Sequence, residues 1–464
     1  MFSDFLQFLV HFLTSIGSFA WDFLALSWWL WAFAILAPMA HSLWFFWRKS
    51  IYKHEETQFI LMEIRIPREI KKNPRAMEQV LASVYMFRNT PNTLAEKWWD
   101  GEVTRWITFE IVSFGGETHF YARAYWRQKA LLQSAFLSYY PDLEIVEVDD
   151  YADKMPANMG ELYKRGYDMW GTDIILKHEA AYPIKTYEDF EAQAEEKEYD
   201  TMASFLELFS SLKKEEIVAV QILIAPADPN WRERWEKLLD DLKNKKEGVK
   251  MSTKTSFPKE GAIGILPMFE INKPGKDDFG LLKTAFRTPG ETDILKAVGR
   301  NLSKPAFETM MRMIYLSPKS IFHDSFPRRG IRGVFNQFSA LDLNSLVFND
   351  RTSVSQPRVT FFYFPWIFPV IRSEYKKARV LHNYLHREIL EEEFMGKVMT
   401  SAFFNWNFKA KNFDMNTECL ATVFHPPGYL ALTGPHIKRV ESRKGGPPAG
   451  LAIFGGEENV EKLQ

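Results

Sequence analysis

Cysteine is nearly missing from this chain: Cys419 is the only one in 464 residues. That excludes an intramolecular disulfide and a Cys-based structural zinc site, and it fits a reducing compartment. Lys and Arg are missing from residues 1–47. A cleaved secretory leader needs a positive n-region, a shorter apolar run and small residues at a cleavage site, so this segment does not read as one. Net charge is close to absent, at −1 with a pI near 6.8, which argues against a chain-wide nucleic-acid footprint. No G-x-x-x-x-G-K-[ST] loop occurs, because neither Lys276 nor Lys397, each preceded by glycine, is followed by Ser or Thr. A nucleotide-driven motor would need that cradle for phosphates and Mg²⁺.

What the N-terminus does have is length without charge. Residues 23–48 hold an almost wholly apolar run that exceeds the roughly 20 residues a helix needs to cross a ~30 Å hydrocarbon core. Trp28, Trp29 and Trp31 edge it on one side and Trp44 and Trp47 on the other, as amphipathic rings do at headgroup level. Arg48 and Lys49 follow directly, so the positive-inside rule predicts a cytoplasmic position for the rest of the chain. Residues 1–22 differ: Gln7, His11, Thr14, Ser15, Ser18 and Asp22 form a polar stripe at helical spacing. They predict an amphipathic helix that lies in the interface, packs on the span, or makes the first arm of a hairpin.

The remainder is long enough for more than one core. Across 57–150 the pattern is β-α-β-β-α-β. Ile60, Met62, Ile64 and Ile66 alternate as in a half-buried strand; Met77, Val80, Leu81 and Val84 keep helical spacing; Gly115-Gly116 turns a hairpin; and Pro141 stops a second helix before a closing strand. That order predicts a ferredoxin-like (split β-α-β) domain, making the fold class α+β behind a transmembrane helix. Residues 151–215, rich in Glu and Lys, read as a helical connector. A second α+β module is expected over 216–350, interrupted by a Lys/Gly/Pro-dense insertion at 244–290. Residues 351–430 carry an aromatic run with Phe364, Trp366 and Phe368, followed by a basic helix with Arg372, Lys376, Lys377, Arg379 and Arg387. Two readings stay open for this pair, a contact with membrane or partner and a buried strand before a solvated helix. Residues 431–464 read as a Pro/Gly-rich tail.

Several phrases carry a family resemblance. FEIVSFGGETHFYARA (109–124), YYPDLEIVEVDDY (139–151), WGTDIILKHEAAYPIKTYEDFEAQ (170–193), VQILIAPADPNWRERWEK (220–237), SKPAFETMMRMIYLSPK (303–319), NTECLATVFHPP (416–427) and VESRKGGPPAGLAIF (440–454) are its material. Together they resemble the membrane-anchored, non-ATPase N-terminal region that precedes the motor in type IV secretion and conjugative-transfer-type ATPases of candidate-phyla bacteria. The resemblance implies an anchor-and-assembly chain at the bacterial inner membrane, partnered by lipid and by a separate ATPase or other secretion-complex subunit. Homo-oligomerisation and direct nucleic-acid binding are left open.

Other constellations are weak. His382 and His386 stand i and i+4 on a helix, yet without a third ligand at a distinctive spacing they read as a solvated face rather than a metal site. Cys419 and His425 are close in sequence, but a lone thiol in an apolar helix is usually packing. Lys243, Lys245, Lys246, Lys250, Lys254 and Lys259 in or beside the insertion read as a solvated loop before a polyanion contact. No catalytic residue, cofactor or metal is assigned, and the expectation is a non-enzymatic subunit. The alternatives are a structural membrane scaffold unrelated to secretion and a peripheral lipid-active enzyme.

Overall fold

Residues 2–52, 58–67, 73–89, 93, 96, 99, 101–193, 200–244, 289–354, 369–387, 389 and 408–428 are described by the computed structural model. The chain starts with one uninterrupted helix, α1 (Phe2–Ile51), with Pro38 inside it. The amphipathic stretch and the apolar run are therefore collinear, and no hairpin turn separates them: neither Gly17 nor Asp22 breaks the helix. Within it Ala25–Ile51 is long and apolar enough to cross a membrane, and none of its most apolar window is buried by the protein.

Next come β1 (Phe59–Arg65), α2 (Pro74–Tyr85), β2 (Ile107–Phe114), β3 (Glu117–Tyr125), α3 (Lys129–Tyr139) and β4 (Glu144–Val148). Pro74 sits in the first turn of α2, where its missing N–H has no partner to lose. The β2–β3 turn uses Gly115 and Gly116 at φ 58° and 94°. A Cβ on Gly115 would lie 2.6 Å from the Lys214 carbonyl oxygen, so the position is closed to larger residues on two counts.

Residues 151–215 differ from the helical connector expected of them. They hold α4 (Met159–Lys164), a ten-residue strand β5 (Tyr167–Leu176), α5 (Tyr187–Gln193) and α6 (Ala203–Ser210). After these come β6 (Ile217–Pro226), α7 (Glu236–Asn244), α8 (Pro289–Asn301), β7 (Ala306–Pro318), α9 (Arg332–Asn336), β8 (Leu346–Phe348), α10 (Pro369–His386), β9 (Phe413–Asn416) and α11 (Thr417–Val423). Phe364, Trp366 and Phe368, most of the 244–290 insertion and the 431–464 tail lie outside the described residues.

Among the described residues nine strands make one sheet in the order β4-β1-β3-β2-β6-β7-β5-β8, with β9 beside β7. Every pairing is antiparallel. The order repeats. Counted from the outside, strands 4-1-3-2 of the first half meet strands 2-3-1-4 of the second, and β2 pairs with β6 from Ile107↔Ile224 to Phe114↔Ile217. The second half thus begins at β5, not at residue 216, and the 227–305 excursion occupies the place of the first half's two-glycine turn.

Both faces of the sheet are covered. On one, Met62, Phe109, Phe120, Val220 and Met313 pack with Val80 and Leu81 of α2, Phe136 of α3, Phe205 and Phe209 of α6 and Leu420 of α11. On the other, Val112, Tyr121, Leu223 and Ile314 pack with Val380, Leu381 and Tyr384 of α10 and Leu162 of α4. A fully buried leucine or phenylalanine is worth about 1.5–3 kcal/mol, so α10 is held by its apolar stripe as an integral layer.

Candidate functional site

The tryptophans and cations that flank the apolar run all lie on α1. Trp28, Trp29, Trp31, Trp44 and Trp47 are exposed on the protein, and Trp29 to Trp47 spans ~27 Å at ~1.5 Å per residue, close to a hydrocarbon core of ~30 Å. Trp31 Nε1 donates to Ser27 Oγ (3.0 Å), which donates to the Phe23 carbonyl (2.5 Å), so the serine is satisfied within the helix. Arg48 and Lys49 occupy the last turn, where cations suit the helix dipole. Lys49 Nζ lies 4.4 Å from the Phe45 ring centroid.

Two of the basic residues of α10 turn inward. Arg372 and Lys376 are buried. Lys376 Nζ donates to the carbonyls of Ser353 (3.0 Å) and Asp350 (3.2 Å), and burial together with Arg372 pushes its ammonium down to about 8. Lys377 pairs with Asp168 (2.7 Å) and Glu374 (3.3 Å); burial pulls its ammonium down, but bonds to Asp168 and Tyr163 reverse that and raise it. Arg379 lies 6.0 Å from the Phe408 ring. Composition alone marked these as a surface; α10's position on the sheet buries Arg372 and Lys376 and leaves Lys377 and Arg379 half-buried.

A feature of the second face was not foreseen. The register aligns Glu63 (β1), Tyr121 (β3), Glu110 (β2), Gln221 (β6), Arg312 (β7) and Asp173 (β5) as direct neighbours across six strands. In β2 and β6 the row residue, Glu110 or Gln221, is the one charged or amide residue of its strand. Two of them, Gln221 and Arg312, reach carbonyls at the C-terminal end of α10, as does Trp106 from outside the row. Gln221 Nε2 donates to the Tyr384 carbonyl (3.1 Å), Arg312 Nη1 to that of Asn383 (2.6 Å), and Trp106 Nε1 to that of Arg387 (2.7 Å).

Arg387 closes this end. It follows α10 at φ 52°, a left-handed conformation unusual for a side chain of its size. Its Nε and Nη2 donate to the two oxygens of Glu110 (2.6 and 3.1 Å), and its Nη1 and Nη2 to Asp150. Glu110 is 0% exposed and Arg387 1%. Glu110 also accepts from Gln221 Nε2 (3.1 Å) and from the Tyr151 hydroxyl, which meets the Tyr384 hydroxyl at 2.5 Å. Burial drives Asp150 up, and Arg387 overrides it to leave the carboxyl below its ordinary value. At the far end of the row burial lifts Asp173 to about 6, only partly opposed by Arg312 at 3.5 Å.

Beside the Glu63 end lies a cavity of about 940 Å³, walled by Phe114, His119, Tyr121, Tyr151, Leu162 and Leu316 among others, with Lys154 and Arg165 also lining it. His119 Nδ1 meets Glu63 Oε1 at 2.8 Å, and its ring is stacked on Tyr121 with centroids 5.9 Å apart. Burial raises the Glu63 carboxyl, but hydrogen bonds from Arg65 and His119 outweigh it and hold the group low. Among the described lining residues there is no Ser, Thr or Cys, so the His119–Glu63 pair has no hydroxyl or thiol nucleophile of the usual kind to activate in this cavity.

Two of the remaining candidates, His425 and Cys419, are buried. His425 Nε2 pairs with Asp200 Oδ1 (3.0 Å), and Cys419 is buried, its thiol pushed up by burial. His382 and His386 are on the exposed side of α10 with ring centroids 3.9 Å apart. Lys243 pairs loosely with Asp240 at 3.6 Å.

Fold and site together define an α+β protein with a two-faced antiparallel sheet and one N-terminal helix apolar enough to span a membrane. No protein-family model matches the chain, and a search of the curated proteins gives no match.

Proposed function

We propose that the chain is a membrane-anchored, non-enzymatic subunit that docks or assembles a separate translocation ATPase in a type IV secretion or conjugative-transfer-like machine. Anchor and body lie at the bacterial inner membrane, with the body in the cytoplasm. The observation that carries this reading is the junction of α1 with the body. The apolar span stays uncovered by the protein, while its last turns are tied down: Arg48 Nε donates to the Trp99 carbonyl (2.8 Å), Trp44 packs on Trp99, and the Tyr52 hydroxyl bonds Glu102 (3.1 Å). A free tether would need none of these contacts, whereas a platform that presents a partner in a set orientation does. The missing phosphate loop and the family phrases add to the reading.

In the same proposal each half is a ferredoxin-like unit, supported by the β-α-β-β-α-β order of the first and the shared 4-1-3-2 strand order. Photo-crosslinkers at the exposed α10 positions Val370 and His382, used in native membranes, test the partner. Recovery of an ATPase subunit is expected. Repeated recovery of none leaves the scaffold reading in its place, and ATP hydrolysis by the purified chain alone overturns the non-enzymatic assignment.

A further inference from the structure

We infer that the body makes a second contact with the bilayer, through the end of the first half's sheet nearest α1, and that anionic phospholipid headgroups are its ligand. The inference rests on α1 being the membrane anchor. Topology gathers the pieces: β1 and β2 begin at this end, β3 and α2 finish there, and α3 starts there. Trp99 packs against Trp44 with ring centroids 5.8 Å apart, which sets it level with the inner tryptophan belt of α1, yet it is 67% exposed. From that point a chain of contacts runs along the surface. Arg105 Nη2 donates to the Tyr52 hydroxyl (3.3 Å), its guanidinium lies 4.3 Å from the Tyr125 ring, and Tyr125 meets Trp126 at 6.2 Å. Trp126 is 46% exposed with the Arg127 guanidinium over its ring, and Met86, 79% exposed, is brought alongside by the Gln128 bond to the Phe87 carbonyl (3.3 Å).

Three large apolar side chains, Trp99, Trp126 and Met86, are thus exposed at this end, with Arg48 bonded to the Trp99 carbonyl and Arg127 over the Trp126 ring. Of the described carboxylates at this end, Glu102 is engaged by Tyr52 and Asn89 and Glu147 by Lys129, while Asp149, just after β4, is exposed. Exposed tryptophan beside arginine is the chemistry of a headgroup interface, because the indole sits at the acyl boundary while the guanidinium meets phosphate. Continuity with the inner end of α1 selects a bilayer as the occupant: a surface packed on Trp44 is already at headgroup depth. Seated this way, the sheet is fixed at a set attitude to the membrane rather than swinging from α1.

Because Cys419 is buried, nitroxide labels placed by Met86→Cys, Leu341→Cys and Leu36→Cys in the full chain are site-specific. Each is read by power saturation with oxygen and a nickel chelate in vesicles of phosphatidylcholine with and without phosphatidylglycerol. The label at position 36 is expected in lipid and that at 341 in water. The label at 86 is expected at headgroup depth with phosphatidylglycerol and measurably shallower without it. Arg127→Gln should remove the dependence on phosphatidylglycerol, and Trp126→Ala with Arg127→Gln should move the label at 86 into water while leaving circular dichroism and the label at 341 unchanged. Equal water access at 86 and 341 with 36 still in lipid overturns the second contact alone. Equal depth in both vesicles overturns the anionic-lipid assignment. A label at 36 found in water defeats the anchor itself, and the inference falls with it.

Discussion

Replacing Arg387 by Met removes the guanidinium that both oxygens of Glu110 share with Asp150 while keeping much of its apolar stem. Glu110, fully buried, is then left with two neutral donors, Gln221 and Tyr151. Stranding one member of a buried ion pair typically costs about 3–5 kcal/mol, and the surviving neutral bonds place the expectation near the lower figure. Adding Glu110→Gln removes the stranded charge and is expected to recover at least about 1 kcal/mol, since an intact buried pair often gains little over neutral replacements. Arg387→Gly offers a control on the backbone. At φ 52° a residue with a Cβ pays about 1–2 kcal/mol that glycine does not, but the emptied volume of a fully buried side chain costs about 2–5 kcal/mol, so the glycine variant should be no milder than Arg387→Met. Urea unfolding in mild detergent, followed by far-UV circular dichroism, gives the cycle. If Arg387→Met falls within about 1 kcal/mol of the parent, or if the double variant shows no coupling beyond about 0.5 kcal/mol, the network does not hold α10 on the sheet and the reasoning fails.

Asp173 supplies a pH test. Its folded pKa, raised to about 6 by burial, exceeds the unfolded value, so the folded state binds the extra proton: the stability it contributes is full below about pH 4 and is lost as pH rises through 6. Relative to Asp173→Asn, the parent should lose up to roughly 3 kcal/mol between pH 4 and 7, and parallel melting profiles would refute this. Gly171 touches α10 so closely that an added Cβ would lie 2.6 Å from Val380 Cγ1 and 3.0 Å from the Met313 carbonyl. Gly171→Ala should destabilise by about 1–3 kcal/mol, with partial rescue by Val380→Ala on the same thermal assay. Leu36→Lys places a charge in the middle of the span, at a cost of about 2.5–3.5 kcal/mol at a helix centre; carbonate extraction should then release a larger share of the chain than of the parent. The Cys419 thiol, buried with its pKa raised, should react with a disulfide reagent only after denaturation, and fast reaction in the folded protein would contradict the packing of α11.

The first half was legible because its signals are local. Alternation in β1, the spacing of Met77, Val80, Leu81 and Val84, the paired glycines and Pro141 each act within a few residues of the structure they specify. Strand β5 was hidden for the opposite reason. Its sequence YDMWGTDIIL is buried on both faces, so it lacks alternation, and Asp168, Thr172 and Asp173 make it look solvated until Lys377, Asn349 and Arg312 arrive from elsewhere. The cations of α10 were misplaced likewise: composition shows four positive charges, whereas carbonyls 23 and 26 residues upstream decide where Lys376 points. The polar row had a partial sequence signal, a lone Glu110 in β2 and a lone Gln221 in β6, but register alone reveals that these positions coincide with the others.

The mirrored sheet has a consequence for how the chain can be divided. Strands β2 and β6 each spend their free side on the other half, so an isolated half would present an apolar ladder of eight residues with nothing to hydrogen-bond. Such a border invites a second chain, and two copies of either fragment would tend to pair through it. Cooperative assembly of the two halves is therefore built into the seam, and cutting the protein there should give self-associating pieces rather than independent domains.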